Sequence, residues 1–117
     1  MSKIFPHHCN VHRSNSYDGF GICIGTDEET RRQHFIQQVE ELSPGEQAGL
    51  KENDQILCIN DTSVVNEDYT VVLQLIRHGL QTDTLNFDVI SNDVYKEFKY
   101  IVSVYSPAIN LYYLCKL

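Results

Sequence analysis

Basic residues are scarce in this chain, and nowhere do they form a stripe. Nine Lys and Arg stand against 16 Asp and Glu, giving a net charge of -7 over 117 residues. Nucleic acid and anionic membranes both call for a concentrated basic face, so neither is expected as the main partner. Paired CxxC motifs are also missing, since Cys9, Cys23, Cys58 and Cys115 lie far apart. The N-terminal stretch "MSKIFPHHCN" has no apolar signal region. The four cysteines are therefore read as free thiols of a cytoplasmic protein, not as a disulfide framework. Cys23 and Cys58 fall inside strand-like apolar runs, where a buried thiol behaves as a small hydrophobe. No uninterrupted apolar run is long enough to span a membrane. Residues 101–117 lean that way, but Ser103, Ser106, Pro107, Asn110 and Lys116 break them up.

Motifs of catalysis are absent as well. There is no phosphate-binding loop, no dinucleotide fingerprint and no GxSxG nucleophile elbow. Carboxylates gather in loop-like stretches (Asp27, Glu28, Glu29; Glu40, Glu41; Glu52, Asp54), the pattern of a solvated surface. The cluster His7, His8, Cys9 and His12 has metal-ligand chemistry, but strand alternation sends His8 and His12 to one face and Cys9 to the other. It is read as the lead-in to a first strand, and His34 and His78 as surface or strand-end residues. No metal, no cofactor and no catalytic activity are expected.

What remains is a chain the size of one domain, built of short elements. Strands are expected over residues 8–14, 22–25, 34–39, 55–60 and 84–90, with a short extended piece at 62–65. "LSPGEQAGL" has Ser43 as N-cap, Pro44 at the first helical position and Gly49 as a stop, hence one short helix. A longer helix is expected from Glu67 to His78, capped by Asn66 and closed by Gly79. Its apolar residues Tyr69, Val72, Leu73 and Ile76 share one face at i, i+3, i+4 and i+7. The order β-β-β-α-β-β-α-β excludes a doubly wound parallel sheet. An α+β fold, mainly β, follows, with five or six antiparallel strands and two helices.

Two motifs go further. Gly19-Phe20-Gly21-Ile22 opens the second strand, and "SPGEQAGLKENDQILCIND" fills residues 43–61. Together they resemble the Gly-Leu-Gly-Phe loop and the Ser-Pro-Ala…Ala-Gly-Leu…Gly-Asp-x-Ile-Leu-x-Val-Asn-Gly run of PDZ domains, at the family's separation. Asn53 and Asp61 stand where the family has Gly, and both residue types tolerate left-handed backbone. Within the family, residues 34–50 and 66–79 look most like the sodium–hydrogen exchanger regulatory factor group of epithelial scaffolds.

The resemblance implies a partly open antiparallel β-barrel capped by two helices over residues 9–90. Residues 1–8 would be a flexible lead-in, and residues 91–117 an extension with an extra strand and a tail. It implies a non-catalytic scaffold that binds the free C-termini of transporters, channels, receptors or signalling proteins, as a strand added between strand two and the second helix. Gly19, Phe20, Gly21 and Ile22 would hold the terminal carboxylate, with Arg13 behind them. Phe20, Ile22, Ile24, Leu73 and Ile76 would line the pocket for the terminal side chain. Tyr69 stands where many relatives carry a His. Its phenol would favour Asp or Glu two residues before the ligand's end, against a relaxed or hydrophobic preference there. Other uses stay open: the chain's own or a neighbour's Leu117 in the groove, giving weak self-association, or recognition of internal motifs or lipid headgroups.

Overall fold

The computed structural model describes residues 7–96. The chain runs β1 (His7–His12), β2 (Ile22–Thr26), β3 (His34–Val39), α1 (Pro44–Gln47), β4 (Gln55–Ile59), β5 (Thr62–Ser63), α2 (Tyr69–Thr82) and β6 (Thr84–Ile90). This is the order the sequence predicts. All pairings are antiparallel, and the sheet reads β1-β6-β4-β3-β2, with β5 hung on β4. Among the described residues the sheet curls without closing, because β1 and β2 are its two edges.

Alternation explains the packing. In β6, Leu85, Phe87 and Val89 point into the main core, meeting Val11 of β1 and Ile36 of β3. Ile90 joins Leu57 and Cys58 in a second, smaller cluster, covered by Val94 and Tyr95 from the helical turn at residues 92–96. Asp88 is buried with these residues and is engaged by His8 across the β1–β6 pair.

Four expectations change. α2 begins two residues later and ends four residues later than its periodicity suggests. Asp68, not Asn66, is its N-cap, accepting from the Thr70 amide at 3.1 Å, and Asp83 caps the other end in left-handed backbone (φ 64). Gly79 does not stop the helix. It is buried inside it, where a Cβ would come within 2.2 Å of Leu85. His34 is a strand-end residue, the first of β3, as one of the two expected readings has it, but it is buried, only 2% exposed. Its Nε2 lies 2.7 Å from the Glu67 carbonyl, which can only accept, so Nε2 carries a proton. Its Nδ1 lies 2.9 Å from the Thr26 hydroxyl, so both ring nitrogens are satisfied.

The cysteines divide three ways. Cys9 is a buried free thiol, pushed up by desolvation and then by the nearby Asp54 and Asp88 carboxylates. Cys23 is a free thiol on the exposed face of β2, opposite the inward Ile22 and Ile24. Cys58 is disulfide-bonded, so the reading of four free thiols fails there. Spacing along a chain does not show which sulfurs the fold brings together. Asn53 (φ 73) and Asp61 (φ 65) do occupy the left-handed turns expected of them. The extra strand and the Leu117 tail fall outside the described residues, apart from Lys96.

Candidate functional site

The loop before β2 is held by its carbonyls. Gly19 and Gly21 have φ of +82 and +73, a region open to glycine and costly for residues with a Cβ. The side chain of Phe20, between them, is buried in the core. The Phe20 carbonyl accepts the Gly45 N–H of α1 at 2.9 Å, and the Gly21 carbonyl accepts the Glu40 N–H at 2.8 Å. A trans peptide unit points its N–H opposite to its carbonyl, and no peptide here is cis. The amides of Gly21 and Ile22 therefore point away from α1 and β3. Because the Glu40–Gly21 bond flanks the Ile22–Val39 pair, Ile22 presents both N–H and C=O to the open side of the strand.

That open side faces α2 across a groove of about 270 Å³. Its walls are Phe20, Ile22 and Ile24 from the loop and β2, with Tyr69, Val72, Leu73, Ile76 and Leu80 from α2, and Leu85 of β6 at its base. All five side chains the resemblance assigns to a terminal pocket meet here. Three wall residues were not foreseen. Leu80 continues the helical stripe (73, 76, 80) past the expected helix end, so a longer helix would have revealed it. Val72 was read only as helix face, and Leu85 reaches the groove only because β6 folds back beneath α2.

Tyr69 stands at the first position of α2, where Asp68 fixes the turn. The Thr70 amide and hydroxyl both bond that carboxylate, holding Asp68 below the usual carboxylate range. The Tyr69 ring lies 6.2 Å from that of buried His34, centroid to centroid, and its hydroxyl makes no hydrogen bond among the described residues. Beside it a second hollow of about 260 Å³ is lined by Thr26, Asp27, Glu28 and Arg31. The groove thus has an apolar end near Phe20 and a polar end near Tyr69.

Arg13 does not line the groove. Its backbone N–H donates to the Asp83 carbonyl at 3.0 Å, and its guanidinium reaches the Leu80 carbonyl at 3.5 Å and the Asp83 carboxylate at 3.4 Å. It caps the negative end of α2. Tyr17 precedes the glycine loop and donates its hydroxyl to Glu40, and this bond pushes its pKa up to about 12. Along β1, His7, His8 and His12 are exposed and Cys9 is buried, and among the described residues no three His, Cys, Asp or Glu side chains converge as metal ligands. Nor is any described helix long and apolar enough to cross a membrane.

Residues 35–85 match the family model of the PDZ domain. Over 102 residues the chain is 27% identical to the Na(+)/H(+) exchange regulatory cofactor NHE-RF1 of Gallus gallus, a match covering 86% of this chain and 30% of that protein. The chain thus spans under a third of that curated relative. Two solved structures share the fold. One is a choanoflagellate SHANK1 PDZ domain bound to a GIRK3 peptide (TM-score 0.60, 19% identity, covering 72% of this chain and 89% of that one). The other is the second PDZ domain of Dlg1 from the choanoflagellate Monosiga brevicollis (TM-score 0.64, 18% identity, 74% and 99%). The open β2 edge, the glycine loop and the matched segment agree: residues 35–85 carry the PDZ-domain match, within a fold that solved PDZ domains share.

Proposed function

We propose that this domain captures the free C-terminus of a partner protein by antiparallel strand addition between β2 and α2. One observation carries the reading: among the described residues β2 is an edge strand whose unpaired side faces an apolar groove. A partner strand laid there completes the backbone ladder and places alternate side chains against Ile22, Ile24, Leu73 and Ile76. The outward amides of Gly21 and Ile22 give its terminal carboxylate charge-assisted bonds, worth about 1.5–3 kcal/mol each. The apolar end of the groove favours a terminal Val, Leu or Ile.

At the other end the unbonded Tyr69 hydroxyl is available to donate, and a carboxylate is its best acceptor. We therefore expect Asp or Glu two residues before the partner's end. Arg13, held by Asp83 and the end of α2, would act on the carboxylate only at a distance. Micromolar affinity, about -8 kcal/mol, suits one such groove. Suitable partners are the cytoplasmic tails of transporters, channels, receptors or signalling proteins, which would bring the domain to the inner face of the plasma membrane. The bounds 9–90 serve as the working domain, with residues 91–96 packed against it.

Twenty decapeptides ending in Leu and differing only at the third residue from the end test this. Each is made with a free carboxylate and as the C-terminal amide. The free acids should bind and the amides should not. Asp and Glu should lead the series, and Tyr69→Phe should erase that lead. A series led by Thr refutes the Tyr69 assignment, and equal binding of acids and amides refutes terminal capture.

A further inference from the structure

Tyr17 lies outside the groove, yet it touches the loop that would hold the carboxylate. Its hydroxyl donates to the Glu40 carboxylate. Glu40 is the hub of that loop: its N–H holds the Gly21 carbonyl at 2.8 Å, and its carbonyl accepts the Ser43 N–H at 3.3 Å. The Tyr17 ring lies alongside Gly21, with Cε1 at 3.2 Å from where a Cβ would stand. The chain leading into Tyr17 turns back tightly enough for Ser14 and Tyr17 to bridge. Tyr17 thus joins the start of the glycine loop to the residue that orients its last peptide. Glu40 also places a negative charge close to a loop proposed to bind an anion, and the phenol O–H is the donor that occupies it.

We infer that Tyr17 is a positioning residue for carboxylate capture, clasping Glu40 so that the amides of Gly21 and Ile22 stay aimed at the ligand terminus. The inference rests on the strand-addition reading above. Without the clasp, the loop's last peptide is tied only by the Glu40–Gly21 backbone bond. The loss should fall on ligands that carry a carboxylate and spare the groove's side-chain preferences.

The test uses the full chain and the decapeptide series already described, as acids and as amides. Tyr17→Phe keeps the ring and removes the hydroxyl. It should weaken every binding acid by about 1.5- to fivefold, the range of one exposed charge contact, with the rank order kept. The residual binding of the amides should stay as in the parent, and the far-ultraviolet circular dichroism should show the fold retained. Glu40→Gln retains an acceptor for the phenol, so its loss for the acids should be smaller than that of Tyr17→Phe. Unchanged binding of the acids by Tyr17→Phe overturns the inference, as does an equal loss for acids and amides. A parent protein that does not distinguish acid from amide overturns the strand-addition reading, and this inference with it.

Discussion

Adding one methyl group at Gly21 should cost more than adding it at Gly19, two residues away, although both glycines have positive φ. At Gly19 (φ +82) an added Cβ meets nothing within 4 Å, so only the backbone objects, by about 1–2 kcal/mol. At Gly21 (φ +73) the same backbone cost applies, and the new Cβ lies 2.1 Å from the Ser43 Cβ and 2.6 Å from its Oγ. Ser43 is fully buried and has no room to retreat. Overpacking of this kind adds about 1–3 kcal/mol, for a total of roughly 2–5 kcal/mol. A domain stable by about 5–15 kcal/mol tolerates that and remains measurable. The Ser43 hydroxyl also caps α1, accepting the Glu46 N–H at 3.2 Å, but Gly at an N-cap loses only a few tenths of a kcal/mol. Ser43→Gly should therefore relieve the collision at small cost of its own. Urea unfolding of Gly19→Ala, Gly21→Ala, Ser43→Gly and the Gly21→Ala/Ser43→Gly pair, followed by far-ultraviolet circular dichroism, gives the four stabilities. The double variant should lose at least about 1 kcal/mol less than the sum of its singles. Additive losses, or a Gly21→Ala loss no larger than that of Gly19→Ala, would refute this account of the loop.

Further outcomes follow from the same geometry. Gly79→Ala gains about 1 kcal/mol of helix propensity but drives a Cβ within 2.2 Å of Leu85, so overpacking of about 1–3 kcal/mol should leave a net loss of up to about 2 kcal/mol; a more stable variant contradicts this. Tyr17 keeps its proton up to about pH 12 in the folded chain, whereas an unfolded tyrosine loses it near pH 10. Its contribution to stability is thus full below pH 10 and is lost as pH rises from 10 to about 12. Absorbance titration should show a late phenolate component that Tyr17→Phe removes, together with a shallower alkaline loss of stability. Of the two free thiols described, exposed Cys23 should react with a disulfide reagent at least about 100-fold faster than buried Cys9, whose proton is held by desolvation. Cys23→Ser should remove the fast phase, and persistence of that phase would show that Cys9 is open to solvent.

Much of the fold was legible along the chain because its cues are local. Alternation marked β3 and β6, Ser43-Pro44 marked the start of α1, and the stripe from Tyr69 to Ile76 marked α2. The ends of α2 were misread because local cues competed. Asn66 and Asp68 are both good caps, and Gly79 resembles a helix stop when its neighbours are unknown. What decided the matter was Leu85, which requires a helix residue with no side chain beside it. The burial of His34 was not legible for a related reason: the partners that satisfy it, Thr26 and the Glu67 carbonyl, lie 8 and 33 residues away.

The sequence by itself determined the element order, the antiparallel α+β class, the glycine loop and the apolar stripe of α2, since each depends on residues within a turn or two of one another. Only the tertiary structure decided which strand edge stays open, which way the loop amides point, that Leu85 and Leu80 complete the groove, and that Tyr17 reaches Glu40. Those facts depend on contacts between distant segments. A peptide plane takes its direction from whatever holds its carbonyl, and here the holders, Glu40 and Gly45, lie some twenty residues beyond the loop they orient.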